Sequence, residues 1–157
     1  MTSTGSSPCK GRVRAFCGYV GVVACLGLAT QVVAATPERI FDVFLDADSW
    51  SRWAYPITSV DWTSPFPLEV GSTRTVWMRA GMVGHEEFIA WEPFRRMAFR
   101  FNQTIKGGPT AFAEDYVVTD LRDGRSLVEW TMAMTLAGVS ARFAPVTGPA
   151  MGPVNRA

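Results

Sequence analysis

The chain has 157 residues, 48% of them apolar, with ten Phe and six Trp, which fits a single domain with an ample core. Fifteen Lys and Arg against fourteen Asp and Glu leave a formal charge of +1, so no strongly basic face is implied and nucleic acid is not an expected partner. Cys9, Cys17 and Cys25 stand eight residues apart. That spacing fits neither a CxxC metal site nor a paired disulfide framework, and they read as inert, reduced thiols.

The N-terminal segment supports two readings. Lys10, Arg12 and Arg14 precede an uncharged run from Ala15 to Thr36, laid out like a secretory signal, and Val22 to Cys25 ("VVAC") is similar to a bacterial lipobox. Against export, "ATQVVAA", Ala29 to Ala35, reads as a strand leading into a helix cap at Thr36. The expectation is therefore a cytoplasmic protein divided into residues 1–28, an irregular, signal-like or lid-forming extension, and residues 29–157, the folded domain. The alternative is a membrane-anchored or exported lipoprotein, with membrane contact through residues 15–28.

Thr36 is a hydroxyl N-cap, Pro37 suits the first helical position, and Glu38 is favourable at the positive end of the helix dipole. Ile40, Phe41, Phe44 and Leu45 share one face of the predicted helix, opposite Glu38, Arg39, Asp42 and Asp46. Asp48 then caps a short turn carrying Trp50 and Trp53.

Beyond Trp53 the helical period gives way to regular turn punctuation, the pattern of an antiparallel sheet. Strands are expected at Tyr55 to Thr63, at "STRTVWMRA" (Ser72 to Ala80), at "HEEFIAW" (His85 to Trp91), at "RMAFRFNQT" (Arg96 to Thr104), at Thr110 to Leu121 and at Ser126 to Ala137. Asp123-Gly124 suits a two-residue type I′ turn and predicts that the last two strands form a hairpin. Met97, Phe99 and Phe101 alternate with Ala98, Arg100 and Asn102; Trp130, Met132 and Met134 alternate likewise, so one sheet face is strongly apolar.

The order of elements and the wording of "VVAATPERIFDVFLDADSWSRW", "LEVGSTRTVWM" and "EEFIAWEPFRRMAFRF" resemble the SRPBCC superfamily, the START-like helix-grip proteins that include polyketide cyclases and dehydrases. The resemblance implies an α+β fold: a curved antiparallel sheet of about seven strands, two short helices after the first, and a long C-terminal helix across the concave face. Residues 138–157 hold Pro145, Pro149 and Pro153, so that last helix is expected to be truncated. The apolar segment from Phe16 to Leu28, a second copy of the chain in a homodimer, or a bound lipid would then cover the exposed face.

The resemblance also implies a cavity for a hydrophobic small molecule such as a lipid, polyketide or aromatic metabolite. Trp53, Arg74, Val76, Met78, Met97, Phe99, Phe101, Trp130, Met132 and Met134 are the candidate lining, with Arg74, if it points inward, suited to a ligand carboxylate or phenolate; an outward charge on a half-solvated sheet is the alternative for it. Plain core packing is the competing reading of the same stripe. For an enzyme of the cyclase or dehydrase kind, His85, Glu87 and Tyr116 are the candidate proton carriers, provided that His85 and Glu87 face the cavity; a solvated strand start is the alternative. One histidine with scattered carboxylates offers no metal set, and no cofactor is expected.

Overall fold

The computed structural model describes residues 14–17, 22–105 and 108–137; the expected truncated helix within 138–157 lies outside them. Two strands, β1 (Arg14–Cys17) and β2 (Val22–Val33), precede the helices α1 (Pro37–Leu45) and α2 (Trp50–Trp53), which flank a 3-10 turn at Ala47–Ser49. Six strands follow: β3 (Ile57–Trp62), β4 (Thr73–Met78), β5 (Val83–Glu92), β6 (Arg96–Ile105), β7 (Ala111–Asp120) and β8 (Ser126–Ala137). All pair antiparallel in the order β1-β2-β8-β7-β6-β5-β4-β3. The seven strands β2 to β8 are those the sequence leads one to expect, and β1 adds an eighth.

The N-terminal boundary differs from expectation. β2 begins at Val22 rather than Ala29, and its backbone pairs with β8 from Val22↔Ala137 to Val33↔Ser126. Residues 14–17 and 22–28, expected as an irregular extension or lid, instead prolong the sheet sideways past β8. The physical reason is backbone pairing: β8 is twelve residues long, and a β2 of the same length satisfies its ladder throughout. Gly27, a weak strand former, is explained by its neighbours, because a Cβ there would lie 3.3 Å from the Trp130 ring and 3.4 Å from Met132 Cε. Among the described residues no helix is long and apolar enough to cross a membrane.

α1 forms where its cap dictates. The Thr36 hydroxyl accepts from Arg39 N at 3.5 Å, Pro37 opens α1, and Ile40, Phe41 and Phe44 are buried. Asp46, not Asp48, caps the following turn, its Oδ1 accepting from Asp48 N at 3.1 Å. The chain has already left the helix there, with extended backbone at Asp46, so its side chain is the one that reaches forward two residues. Two indoles then secure the end of α1: Trp50 Nε1 donates to Phe44 O at 2.9 Å and Trp62 Nε1 to Leu45 O at 3.0 Å. Both acceptors are carbonyls that the helix itself leaves unpaired.

β7 and β8 form the expected hairpin, but through a wider turn. Positive φ falls on Arg122 (63°) and Gly124 (78°), while Asp123 keeps ordinary backbone. The Asp120 carboxylate stabilises that turn by accepting from Arg122 N at 2.7 Å.

Candidate functional site

Strand alternation selects the inner face of the curled sheet, the one covered by α1 and α2. β4 contributes Arg74, Val76 and Met78, and β5 contributes Gly84, Glu86 and Phe88. β6 adds Met97, Phe99 and Phe101, β7 adds Glu114, Tyr116 and Val118, and β8 adds Trp130, Met132 and Met134. Bulges between His85 and Glu86 and between Phe88 and Ala90 accent the curl on β5 and β6. Phe44, Trp50 and Trp53 from the helices close over this face, each within 6.4 Å of the Tyr116 ring.

Arg74 is the centre of the arrangement. Only 1% of its surface is exposed, and its guanidinium carbon stands 4.0 Å from the Trp50 ring centroid and 4.5 Å from that of Phe99. Trp62 and Phe88 complete the cage at 5.4 Å each. A dry cation–π contact of this kind contributes on the order of 2 kcal/mol. Nε donates to the carboxylate of Glu86, itself buried on the adjacent strand. Nη1 and Nη2 are buried and meet no acceptor among the described residues. Loss of hydration raises the Glu86 pKa and the Arg74 charge draws it back down.

A second acidic residue faces the same space. Glu114 Oε2 accepts from the Tyr116 hydroxyl at 2.8 Å. The residue keeps part of its surface open, yet the protein around its carboxyl is dense enough that burial dominates and raises its pKa to about 7. The Tyr116 hydrogen bond and the Arg74 charge oppose that rise, and the Glu86 charge adds to it. Tyr116 is held well above the ordinary tyrosine range, first by burial and then by the Glu114 charge, so it stays a donor. The Trp130 indole N–H lies beside Glu114 and favours its charged form without a hydrogen bond of ordinary geometry; it and Trp53 Nε1 are also buried without an acceptor among the described residues.

The sequence candidates divide accordingly. Arg74 and Tyr116 meet at this cluster. His85 and Glu87 do not: they alternate with Gly84, Glu86 and Phe88 and so occupy the outer face. There His85 Nδ1 lies 3.1 Å from Thr75 Oγ1, and Glu87 accepts from Arg100 Nη2 at 3.1 Å. The proviso attached to them as proton carriers of a cavity is not met. Among the apolar candidates, Val76, Met97 and Phe99 expose no more than 1% of their surface and are packed core, with Trp130 and Met132 close behind. Trp53, Met78, Phe101 and Met134 are half-buried and hold the accessible part of the face. Phe101 stacks on Phe112 at 4.3 Å between centroids, and its ring lies over Gly84, where a Cβ would come within 2.8 Å of it.

Glu86 and Glu114 are the residues that the candidate list omits. The parity signal for Glu86 is present in the sequence: it stands two residues before Phe88, a buried apolar position, so it points where Phe88 points. Glu114 shares its face with Tyr116 by the same rule. Among the described residues no group of three or more His, Cys, Asp or Glu could hold a metal ion.

A curled antiparallel sheet with two short helices packed against it is the START-like helix-grip fold. Solved structures agree in fold: a START superfamily protein from Mycobacterium smegmatis matches with a TM-score of 0.63 at 14% identity, covering 78% of this chain and 88% of that one. An aromatase/cyclase from a Streptomyces species matches with a TM-score of 0.61 at 15% identity over 74% of this chain and 72% of that one. The chain belongs to the family described as polyketide cyclase / dehydrase and lipid transport, whose profile matches residues 28–157. It is also 56% identical over 109 residues to uncharacterized proteins of Mycobacterium tuberculosis and Mycobacterium bovis, a match spanning 69% of this chain and 65% of those relatives.

Proposed function

We propose that the protein binds a hydrophobic small molecule, a lipid, polyketide or aromatic metabolite, on the inner sheet face, with an oxygen-bearing group of the ligand at Arg74. Family membership and fold fit a hydrophobic-ligand or cyclase-type protein. The observation that carries the finer reading is the pair of buried guanidinium nitrogens, Nη1 and Nη2, that lack an acceptor among the described residues, inside an aromatic cage. Buried donors of this kind are rare in folded proteins and costly to leave unmade, at about 1–3 kcal/mol or more for a charged group. A ligand oxygen would relieve that cost, while half-buried Trp53, Met78, Phe101 and Met134 offer apolar surface for its body. The test is native mass spectrometry after gentle purification, together with displacement of a fluorescent fatty acid. Bound species and displacement are expected; their absence across lipid classes would count against the reading.

The second reading is an enzyme of the cyclase or dehydrase kind. Glu114, poised near neutrality beside Tyr116 and within the field of Arg74, favours it, because a general base works best with a pKa near the operating pH. A simple β-keto thioester in deuterated water tests it. Exchange at the α-carbon accelerated by the protein and lost in Glu114→Gln supports catalysis, and exchange at the buffer rate argues for binding alone.

A further inference from the structure

The polar cluster has an uneven balance of charge and of hydrogen-bonding capacity. Arg74 and Glu86 form a buried pair whose charges cancel. Among the described residues Glu114 is the remaining ionisable acid facing them, so the cluster they form is neutral when that carboxyl holds a proton and carries one negative charge when it does not. The groups acting on Glu114 are Arg74 from β4, Glu86 from β5, Tyr116 from its own strand and the Trp130 indole from β8. In register, β6 places Phe99 opposite it, and the helices meet Tyr116 with aromatic rings. Donors predominate: Nη1 and Nη2 of Arg74 have no acceptor among the described residues, and the Trp130 indole already leans on Glu114.

We propose that the site selects ligands with an anionic head, a carboxylate or equivalent oxyanion, and that each such ligand enters together with one proton, taken from solvent onto the Glu114 carboxylate. This rests on the binding reading above and names its ligand class and its control. A ligand carboxylate at the Arg74 nitrogens beside an ionised Glu114 would place two like charges in a dry site, where their repulsion is weakly screened. Protonating Glu114 removes that repulsion and adds one more donor to the cluster. Tyr116 keeps its own proton and cannot substitute, because burial and the Glu114 charge both hold it in the neutral form. The raised affinity of Glu114 for a proton brings the coupling into the neutral range. An uncharged head group of the same size gains from the donors without requiring the proton.

The experiment compares dansylated undecanoic acid with its methyl ester by fluorescence titration of the full chain from pH 6 to pH 8, a range in which the acid probe stays ionised. Coupling to one titrating group predicts that the dissociation constant of the acid weakens about tenfold from pH 6 to pH 8 while that of the ester changes less than about twofold. Glu114→Gln, folded as judged by circular dichroism, should bind the acid with a flat pH profile. Calorimetry of the wild type at pH 8 in two buffers of different ionisation enthalpy should register uptake of about one proton with the acid and none with the ester, which needs no variant. A pH-independent acid affinity, the wild-type slope persisting in Glu114→Gln, or no proton uptake would overturn the proposal. Binding of the ester without the acid would overturn it while leaving the hydrophobic-ligand reading intact; binding of neither would remove both.

Discussion

The Tyr116 hydroxyl donates to Glu114 Oε2 at 2.8 Å from two positions along the same strand, so the donor and the carboxyl it steadies face the interior together. Burial nevertheless wins at Glu114, whose pKa rises to about 7. The folded state therefore binds this proton more tightly than the unfolded chain. Its contribution to stability is present in full below the ordinary glutamate range and is lost as pH rises from there to about 7, a loss of roughly 3 kcal/mol at most. Buried Glu86 is raised as well and acts in the same direction. Urea titrations at intervals from pH 4.5 to pH 7.5 should show stability falling in wild type and falling less in Glu114→Gln. Equal slopes would mean that Glu114 titrates normally.

Removing one member of the Arg74–Glu86 pair should cost far more than removing both. Arg74→Met leaves a buried carboxylate without its cation, at about 3–5 kcal/mol, whereas Arg74→Met with Glu86→Leu should lie within about 1–2 kcal/mol of wild type. Chemical denaturation of the two variants checks this. A double variant as damaged as the single one would show that the aromatic cage around Arg74, not the ion pair, holds this part of the core.

At Gly84 the Phe101 ring occupies the place of a side chain. Gly84→Ala puts a methyl group 2.8 Å from two ring atoms and 3.2 Å from Met78 Cε, an overpacking that should cost about 1–3 kcal/mol. Phe101→Leu introduced with it should recover part of the loss, read as a favourable coupling in a double-mutant cycle. Additive effects would mean that the ring moves aside freely.

Outer-face chemistry should be silent in ligand binding. His85→Ala and Glu87→Gln should leave fatty-acid displacement unchanged, while Arg74→Met combined with Glu86→Leu should weaken it at least tenfold for an anionic probe. Weakening by the His85 variant would place the ligand on the face opposite to the one argued for.

Much of the fold is legible from local chemistry. The Thr36 cap with Pro37 fixes where α1 starts, and the alternation of Val128, Trp130, Met132 and Met134 fixes which side of β8 is inside. The site is less legible, because residue type and strand parity compete at His85-Glu86-Glu87. A histidine beside a carboxylate is attractive chemistry, but parity with Phe88 turns Glu86 inward and its two neighbours out. The partnership of Glu86 with Arg74 depends on strand register, which residue spacing within one strand does not carry. The start of β2 is hidden for a similar reason: its seven extra residues are held by the length of β8, a distant segment.

The pairing of β2 with β8 also dictates a history for each newly made chain. Thr30 lies opposite Glu129, and five strands and two helices must leave the ribosome before that partner exists. Through most of synthesis β2 exposes unpaired backbone that any other extended chain could capture. Local hairpins such as β7–β8 can form early, whereas closing the sheet waits on a contact between remote segments, the slow kind in folding. A β-rich protein closed in this way is exposed to aggregation most of all while it is being made, and a chaperone that shields β2 until β8 arrives would matter more to its yield than to its final stability.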